Sequence, residues 1–192
     1  MNVTDLVEGC IHHRKKAQNR LYDMYSSRLY GVCLRYSGDR AEAQDILQES
    51  FLKIYKNIHT LKFTNEISFY GWMHRITVNT ALNHCRDYLK KHQLHETLEF
   101  ANTETEFNET SVYEDILEHI SHEKLLKLIQ ELPTGYRTIF NLYAFENNTH
   151  KEIATALEIS VNTSKSQLFK ARKMLASRIY KILATNNVKM VI

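Results

Sequence analysis

The sequence predicts an all-α protein: two small helical domains joined by an acidic linker, the second containing a helix-turn-helix. Three observations carry this reading. The 192 residues include one proline and five glycines, so helix breakers are scarce. Apolar residues recur three and four apart along much of the chain, the spacing that gives a helix one buried face. Asn-Gly and Gly-Gly pairs, which close β-hairpins, are almost absent. Each half of a chain this long can bury a compact helical core.

The first domain spans residues 1–91. Leu21, Tyr25, Leu29, Val32 and Tyr36 form one helical stripe. Ser37, Gly38 and Asp39 interrupt it, and Asp39 with Glu42 three residues on has the form of a capping box for the next helix. That helix buries Ala43, Leu47, Phe51, Ile54 and Ile58, leaving Asp45, Gln48, Glu49 and Leu52 on another face. Leu61 to Ser68 reads as a loop, followed by a helix from Phe69 to Lys91.

Turning that last helix by about 100° per residue gathers Arg75, Asn79, Asn83, Arg86 and Lys90 on one narrow stripe. Val78, Leu82, Cys85 and Leu89 fall on an adjacent one, so the apolar side can pack while the polar side stays available. Trp72 lies in line with the polar stripe. Cations attract phosphates, asparagine pairs with base edges and aromatics stack on unpaired bases, a mixture suited to a strand being opened. Phe63, Phe69, Tyr70 and Trp72 supply the aromatics, although burial in the core is an equal alternative for each.

Residues 92–120 form the linker. From His92 to Glu123 there is no lysine or arginine, while nine acids occur. Taking those nine from the total of 22 leaves 13 acids against all 25 bases, so the flanking domains are strongly basic. A polyanionic partner follows from that balance. Few apolar residues are present in the linker to offset the cost of ordering its backbone, and its acids are placed to shield the basic surfaces in the free protein.

The second domain spans residues 121–192. Leu125, Leu126, Leu128 and Ile129 precede a boundary at Leu132-Pro133, where proline is tolerated in a first helical turn. Tyr136, Ile139, Phe140 and Tyr143 make the next stripe, and Ile153, Ala154 and Leu157 another. Leu168, Ala171, Leu175, Ile179 and Ile182 describe a long last helix that frays after Thr185. Thr149 and Glu152 form a capping box, and Ser160 offers a second N-cap three residues before Thr163. Two helices thus meet at a tight turn. The second presents Asn162, Thr163, Lys165, Ser166, Gln167 and Lys170 where a recognition helix meets base edges, with Arg172 and Lys173 nearer the phosphates.

Several classes of function are disfavoured. Cys10, Cys33 and Cys85 are odd in number and widely spaced, which suits a reducing compartment better than a disulfide framework. Cys10, His12 and His13 lack a second ligand pair at zinc-module spacing. No local motif suggests a catalytic set, a cofactor or a small-molecule substrate. The N-terminus lacks the order of a signal peptide, and no run of about 18 apolar residues offers a membrane span, so a cytoplasmic location is expected.

Together these segments resemble the two domains of an extracytoplasmic-function sigma factor of the sigma-70 family, over about residues 16–91 and 121–180. The segment Asp45 to Leu52 is similar to the family's polymerase-clamp-binding segment. The resemblance therefore implies that Asp45, Gln48, Glu49 and Leu52 meet core RNA polymerase. The segment Trp72 to Asn79 resembles the part that melts and reads the minus-ten element, implying that Lys62, Phe63, Trp72, Arg75, Asn79, Asn83, Arg86 and Lys90 face that DNA. Leu132 to Phe140 and the helix-turn-helix after it look like the domain that reads the minus-thirty-five element, implying duplex contacts from Asn162 to Lys173. Three positions depart from the family pattern: Glu158 where glycine is usual, Ser164 where a branched apolar residue is usual, and Gln167 where arginine is common. An anti-sigma factor partner, which can be membrane-anchored, is also implied. Two other readings use fewer features: a helix-turn-helix regulator with no polymerase role, and an adaptor whose basic faces bind acidic proteins.

Overall fold

The computed structural model describes residues 3–61, 65–91 and 121–189, and among them every regular element is helical. The chain divides into two compact units, Met1–Asp87 and Tyr88–Ile192. The acidic stretch 92–120, and with it the expected shielding, lies outside the described residues.

In the first unit α1 (Val3–Ile11), α2 (Lys15–Tyr36), α3 (Arg40–Asn57), a short 3-10 turn (Ile58–Thr60) and α4 (Glu66–Lys91) enclose one apolar core. Helix α2 is its centre and packs on both α1 and α3. The five apolar positions read from the sequence of α2, and the five read from α3 and its following turn, are all buried. Gly9 lets α1 approach α2 closely: a Cβ at this position would stand 2.6 Å from Ala17 Cβ. Asp39 caps α3 by accepting from the Glu42 backbone N–H at 2.9 Å. The Glu42 carboxylate returns to the N–H of Gly38 at 2.7 Å, one residue earlier than a standard capping box.

Helix α4 starts at Glu66, three residues before the expected Phe69. Asn65 is responsible: its side chain accepts from the Ser68 N–H at 2.9 Å, while Ser68 Oγ donates to the Asn65 carbonyl at 2.8 Å. These local bonds satisfy the first-turn groups that the loop reading left open.

The second unit contains α5 (His122–Gln130), α6 (Thr134–Ala144), α7 (His150–Leu157) and α8 (Val161–Lys189). Helix α8 is the spine, packed against α5, α6 and α7. Leu128, Ile129, Leu132, Ala171, Leu175 and Ile179 form its core beside α5. The helix continues through Lys189, past the fraying point expected at Thr185. Pro133 sits at the N-cap of α6, where its missing N–H costs nothing. The α5–α6 junction is locked by Arg137, which is buried and donates from Nη1 to the carbonyls of Gln130 at 2.7 Å and Leu132 at 3.2 Å.

Among the described residues no helix is long and apolar enough to cross a membrane, and no group of three or more His, Cys, Asp or Glu is placed to hold a metal ion. Cys10 faces the core, with burial pushing its thiol up to about 11, whereas His12 and His13 are exposed.

Candidate nucleic-acid interface

Helix α4 separates its faces sharply. Phe69, Met73, Thr77, Ala81, Leu82 and Cys85 are buried, and Arg75, Asn79 and Asn83 are exposed on the opposite side. Arg86 is half-buried and donates to Asn83 Oδ1 at 3.2 Å, so two of the expected DNA-facing residues orient one another. Trp72 is also half-buried. Lys62, Phe63 and the Lys90 side chain lie outside the described residues.

The aromatics divide between two roles. Phe69 is 0% exposed, so of its two alternatives it takes the core one. It lies edge-on to Tyr25 at 5.6 Å and stacks on Trp72 at 6.3 Å with an interplanar angle of 16°. Phe69 is thus the floor that holds Trp72. Tyr70 is half-buried under the Arg28 guanidinium, whose carbon lies 4.0 Å from the ring centroid, and it stacks on Tyr25 at 6.4 Å. Tyr25 donates its hydroxyl to Glu66 Oε1 at 3.2 Å, and burial followed by that carboxylate pushes the phenol up to about 12. Of the four aromatics, Trp72 therefore remains the described one placed beside the polar stripe.

On α3, Asp45, Gln48 and Leu52 project outward, and Leu52 is 70% exposed. Glu49 differs from these three. Its carboxylate lies 2.7 Å from Lys53 Nζ and 2.6 Å from His84 Nε2 of α4. The hydrogen bond from Lys53, then that from His84, holds its pKa below the usual carboxylate value.

In the second unit Thr149 and Glu152 complete a reciprocal capping box at α7. Glu158 ends that helix in the left-handed region at φ 57° and ψ 41°, a conformation glycine adopts without penalty. The Ser160 hydroxyl then accepts from the Thr163 N–H at 2.9 Å and starts α8. Ser164 is fully buried, and its hydroxyl meets His150 Nδ1 at 2.9 Å, joining the two helices through a polar contact where an apolar one is usual. The His150 ring stacks on Tyr143 at 5.0 Å, and Arg172 lies over the same tyrosine at 5.3 Å. Burial first, then Lys165 and Arg172, keep the imidazole below its ordinary pKa.

The outward face of α8 is narrower than the sequence suggested. Asn162, Lys165 and Lys173 are exposed, while Thr163, Ser166, Gln167, Lys170 and Arg172 are half-buried. Thr163 meets the Ser160 hydroxyl, and Ser166 donates to the Thr163 carbonyl at 3.1 Å. The Gln167 amide lies against α6, with its Oε1 3.1 Å from where a Cβ on Gly135 would stand. Sequence reasoning passed over Phe169, which is 37% exposed. At about 100° per residue it shares the side of α8 that carries Asn162, Lys165 and Lys173. An aromatic on the polar side of an otherwise capped, basic helix was the available signal.

Residues 21–91 match the family model described as Sigma-70 region 2, and residues 122–175 match Sigma-70, region 4. The chain is 32% identical over 187 residues to the RNA polymerase sigma-H factor of Pseudomonas aeruginosa, covering 93% of this chain and 94% of that one. It is an extracytoplasmic-function sigma factor of the sigma-70 family.

An ECF RNA polymerase sigma-E factor from Haemophilus influenzae is 31% identical over 183 residues, covering 93% of this sigma factor and 95% of the relative. The solved sigma factor RpoE of Bartonella quintana, crystallised with the anti-sigma factor NepR, aligns over 85% of this chain and 96% of its own at a TM-score of 0.47 and 14% identity. As a sigma factor, the protein carries out promoter-specific transcription initiation with RNA polymerase, and its region 2 and region 4 domains bind core polymerase and promoter DNA. A regulator with no polymerase role is not favoured, because region 2 covers the first unit from Leu21 onward.

Proposed function

We propose that the three surfaces divide the work of initiation. Asp45, Gln48, Glu49 and Leu52 on α3 dock on the polymerase clamp, the acid and amide side chains meeting its basic residues. Arg75, Asn79, Asn83 and Arg86 on α4 hold the minus-ten strand while Trp72 stacks on an unpaired base, with Lys62, Phe63 and Lys90 on the same DNA. The start of α8 reads the minus-thirty-five duplex through Asn162, Thr163, Lys165, Ser166, Gln167 and Lys170, and Arg172 and Lys173 meet phosphates. The domains are 1–91 and 121–192, with 92–120 as an acidic connector.

The observation that carries this reading is the clean division of α4. A cation and amide stripe stands free on a helix whose opposite side is sealed in the core, with one tryptophan braced beside it by Phe69. Stacking contributes about 1–3 kcal/mol per base, comparable to the cost of unstacking one, so one braced indole can shift a melting equilibrium. Phe169 offers the apolar surface that a thymine methyl fits.

The protein acts by binding in the bacterial cytoplasm, uses no cofactor and catalyses no reaction of its own. An anti-sigma factor that covers one or both domains is the expected regulator, on the strength of family membership.

Open-complex formation with core polymerase on a genomic promoter library tests the division. The variant Arg75→Ala/Asn79→Ala is expected to bind core normally and to lose opening by about a hundredfold, given two lost strand contacts of roughly 1–2 kcal/mol each. Equal opening by this variant and the wild type would remove α4 from strand separation.

A further inference from the structure

The joint between α7 and α8 is built round an ionisable ring. His150, in the first turn of α7, brings Nδ1 to 2.9 Å from the hydroxyl of the buried Ser164 on α8. Its ring stacks on Tyr143 of α6 at 5.0 Å with 29° between the planes, and the Arg172 guanidinium carbon lies 5.3 Å from the centroid of the same tyrosine. Three helices therefore converge on one half-buried histidine.

These side chains occupy a particular edge of the domain. Around α8, at about 100° per residue, Lys165 and Arg172 stand roughly 20° apart. They lie between the buried side, which carries Ser164 and Leu168, and the outward side, which carries Asn162 and Phe169. A helix seated in a major groove about 12 Å wide turns its outward side to base edges and its flanks to the phosphates of the groove walls. His150 sits on that flank. By fixing Nδ1 toward the protein, the Ser164 contact directs Nε2 away from it.

The charges acting on the ring are both cationic: Lys165 and Arg172, from α8. Helix α6 contributes the Tyr143 face, and its one charged residue, Arg137, is turned to the α5–α6 junction. On α7 itself Lys151 is exposed, and the Glu152 carboxylate accepts from the N–H and hydroxyl of Thr149. Neither Glu152 nor Glu146 of the α6–α7 connection is among the charges acting on the imidazole. Without DNA, burial first and then the two cations hold the imidazole below its ordinary pKa. A phosphate paired with Arg172 or Lys165 cancels the second of those causes and offers Nε2 an acceptor. The added proton leaves the joint intact, because the Ser164 hydroxyl accepts as readily as it donates, and the charged ring still lies against the face of Tyr143.

We infer that His150 is a phosphate contact on the wall of the minus-thirty-five groove and takes up a proton as that duplex binds. This rests on the assignment of α8 as the helix that enters the duplex. Binding is then weakest above the pKa of the bound state, strengthens as pH falls through it, and levels off below the pKa of the free state. The minus-thirty-five contribution to promoter binding thus grows on acidification.

The test uses the full-length protein assembled with core polymerase, and a duplex that ends upstream of the minus-ten element, cut from a promoter this holoenzyme opens. Its dissociation constant is measured between about pH 8 and about pH 5.5 for the wild type and for His150→Asn, whose amide keeps a partner for Ser164 without titrating. Wild-type affinity is expected to rise by about fivefold over this range relative to His150→Asn, for an uptake of less than one proton. A parallel pH dependence in the two proteins, or a wild-type affinity that does not change, would overturn the inference. The wild type also gives a reading that needs no variant: its heat of binding near about pH 6.5 should vary with the ionisation enthalpy of the buffer as proton uptake requires, and a heat independent of buffer would count against the proposal. Asn162→Ala tests the reading face separately. If it binds the duplex like the wild type, the base-reading assignment of α8 fails, while the proton linkage at His150 is still decided by the pH series.

Discussion

The two units differ in how far some of their buried polar groups reach. In the first, the buried polar residues among those described are four hydroxyls, Ser37, Ser50, Thr77 and Thr80. Each donates to a carbonyl three or four residues back along its own helix, as Thr77 does to Met73 at 3.0 Å and Ser50 to Ile46 at 2.6 Å. In the second, Thr138 and Asn141 do the same within α6, donating to the Thr134 carbonyl at 2.7 Å and the Arg137 carbonyl at 2.8 Å, but Arg137 reaches back across the α5–α6 junction and Ser164 ties α8 to α7 through His150. A long apolar core needs only local satisfaction of its hydroxyls. Where a buried polar group joins two helices, as Arg137 and Ser164 do, its loss should cost far more.

Arg137→Leu is the strongest way to sharpen that contrast. It removes the donor to the Gln130 carbonyl and to the buried Leu132 carbonyl and should lower the stability of the second unit by about 3 kcal/mol, whereas Thr77→Val in the first should stay within about 1 kcal/mol. Thermal unfolding of the two variants compares them, and similar losses would break the distinction.

The first unit should instead be sensitive to shape. Gly9→Ala places a methyl 2.6 Å from Ala17 Cβ, backed on both sides by helix, and should cost about 2 kcal/mol by overpacking. Chemical denaturation with Trp72 fluorescence reads this directly, since the chain's one tryptophan lies in the first unit.

The joint at Glu158 can be improved. Glu158→Gly removes the side-chain penalty of the left-handed region and should raise the stability of the second unit by about 1 kcal/mol. A lower melting temperature would show that the Glu158 side chain makes a compensating contact.

The smallest effect is in pH dependence. His150 has a folded pKa below its unfolded value near 6.5, so the stability it contributes is present above that value and is lost as pH falls through the folded one. Glu49, also depressed, keeps its contribution until pH falls below the ordinary carboxylate value near 4.5. On acidification the His150 contribution in the second unit should therefore weaken first. Histidine resonances and Trp72 fluorescence followed over the same titration would show the order, and simultaneous loss would contradict it.

Much of the architecture was legible because helix period and capping chemistry are local. The stripes of α2 and α3, the Asp39, Thr149 and Ser160 caps, the proline at the head of α6 and the exposed polar stripe of α4 all depend on residues within about four positions of one another. The motifs that carry family membership are legible for the same reason, being short and in a fixed order.

What was not legible depends on partners far along the chain. Period alone cannot say that Phe69 is sealed under Tyr25 while Trp72, three residues on, stays half open. It puts Glu49 on a docking face and Lys53 beside it, but the second partner of its carboxylate, His84, is 35 positions away on another helix. It marks Ser164 as an oddity in a recognition helix, and only the approach of His150 makes that hydroxyl a joint. Local sequence determined which side of each helix is apolar and where each begins. The tertiary structure decided which polar side chains at the margins of those faces are held inside the protein and which stay exposed, because that depends on what another helix brings within about 3 Å.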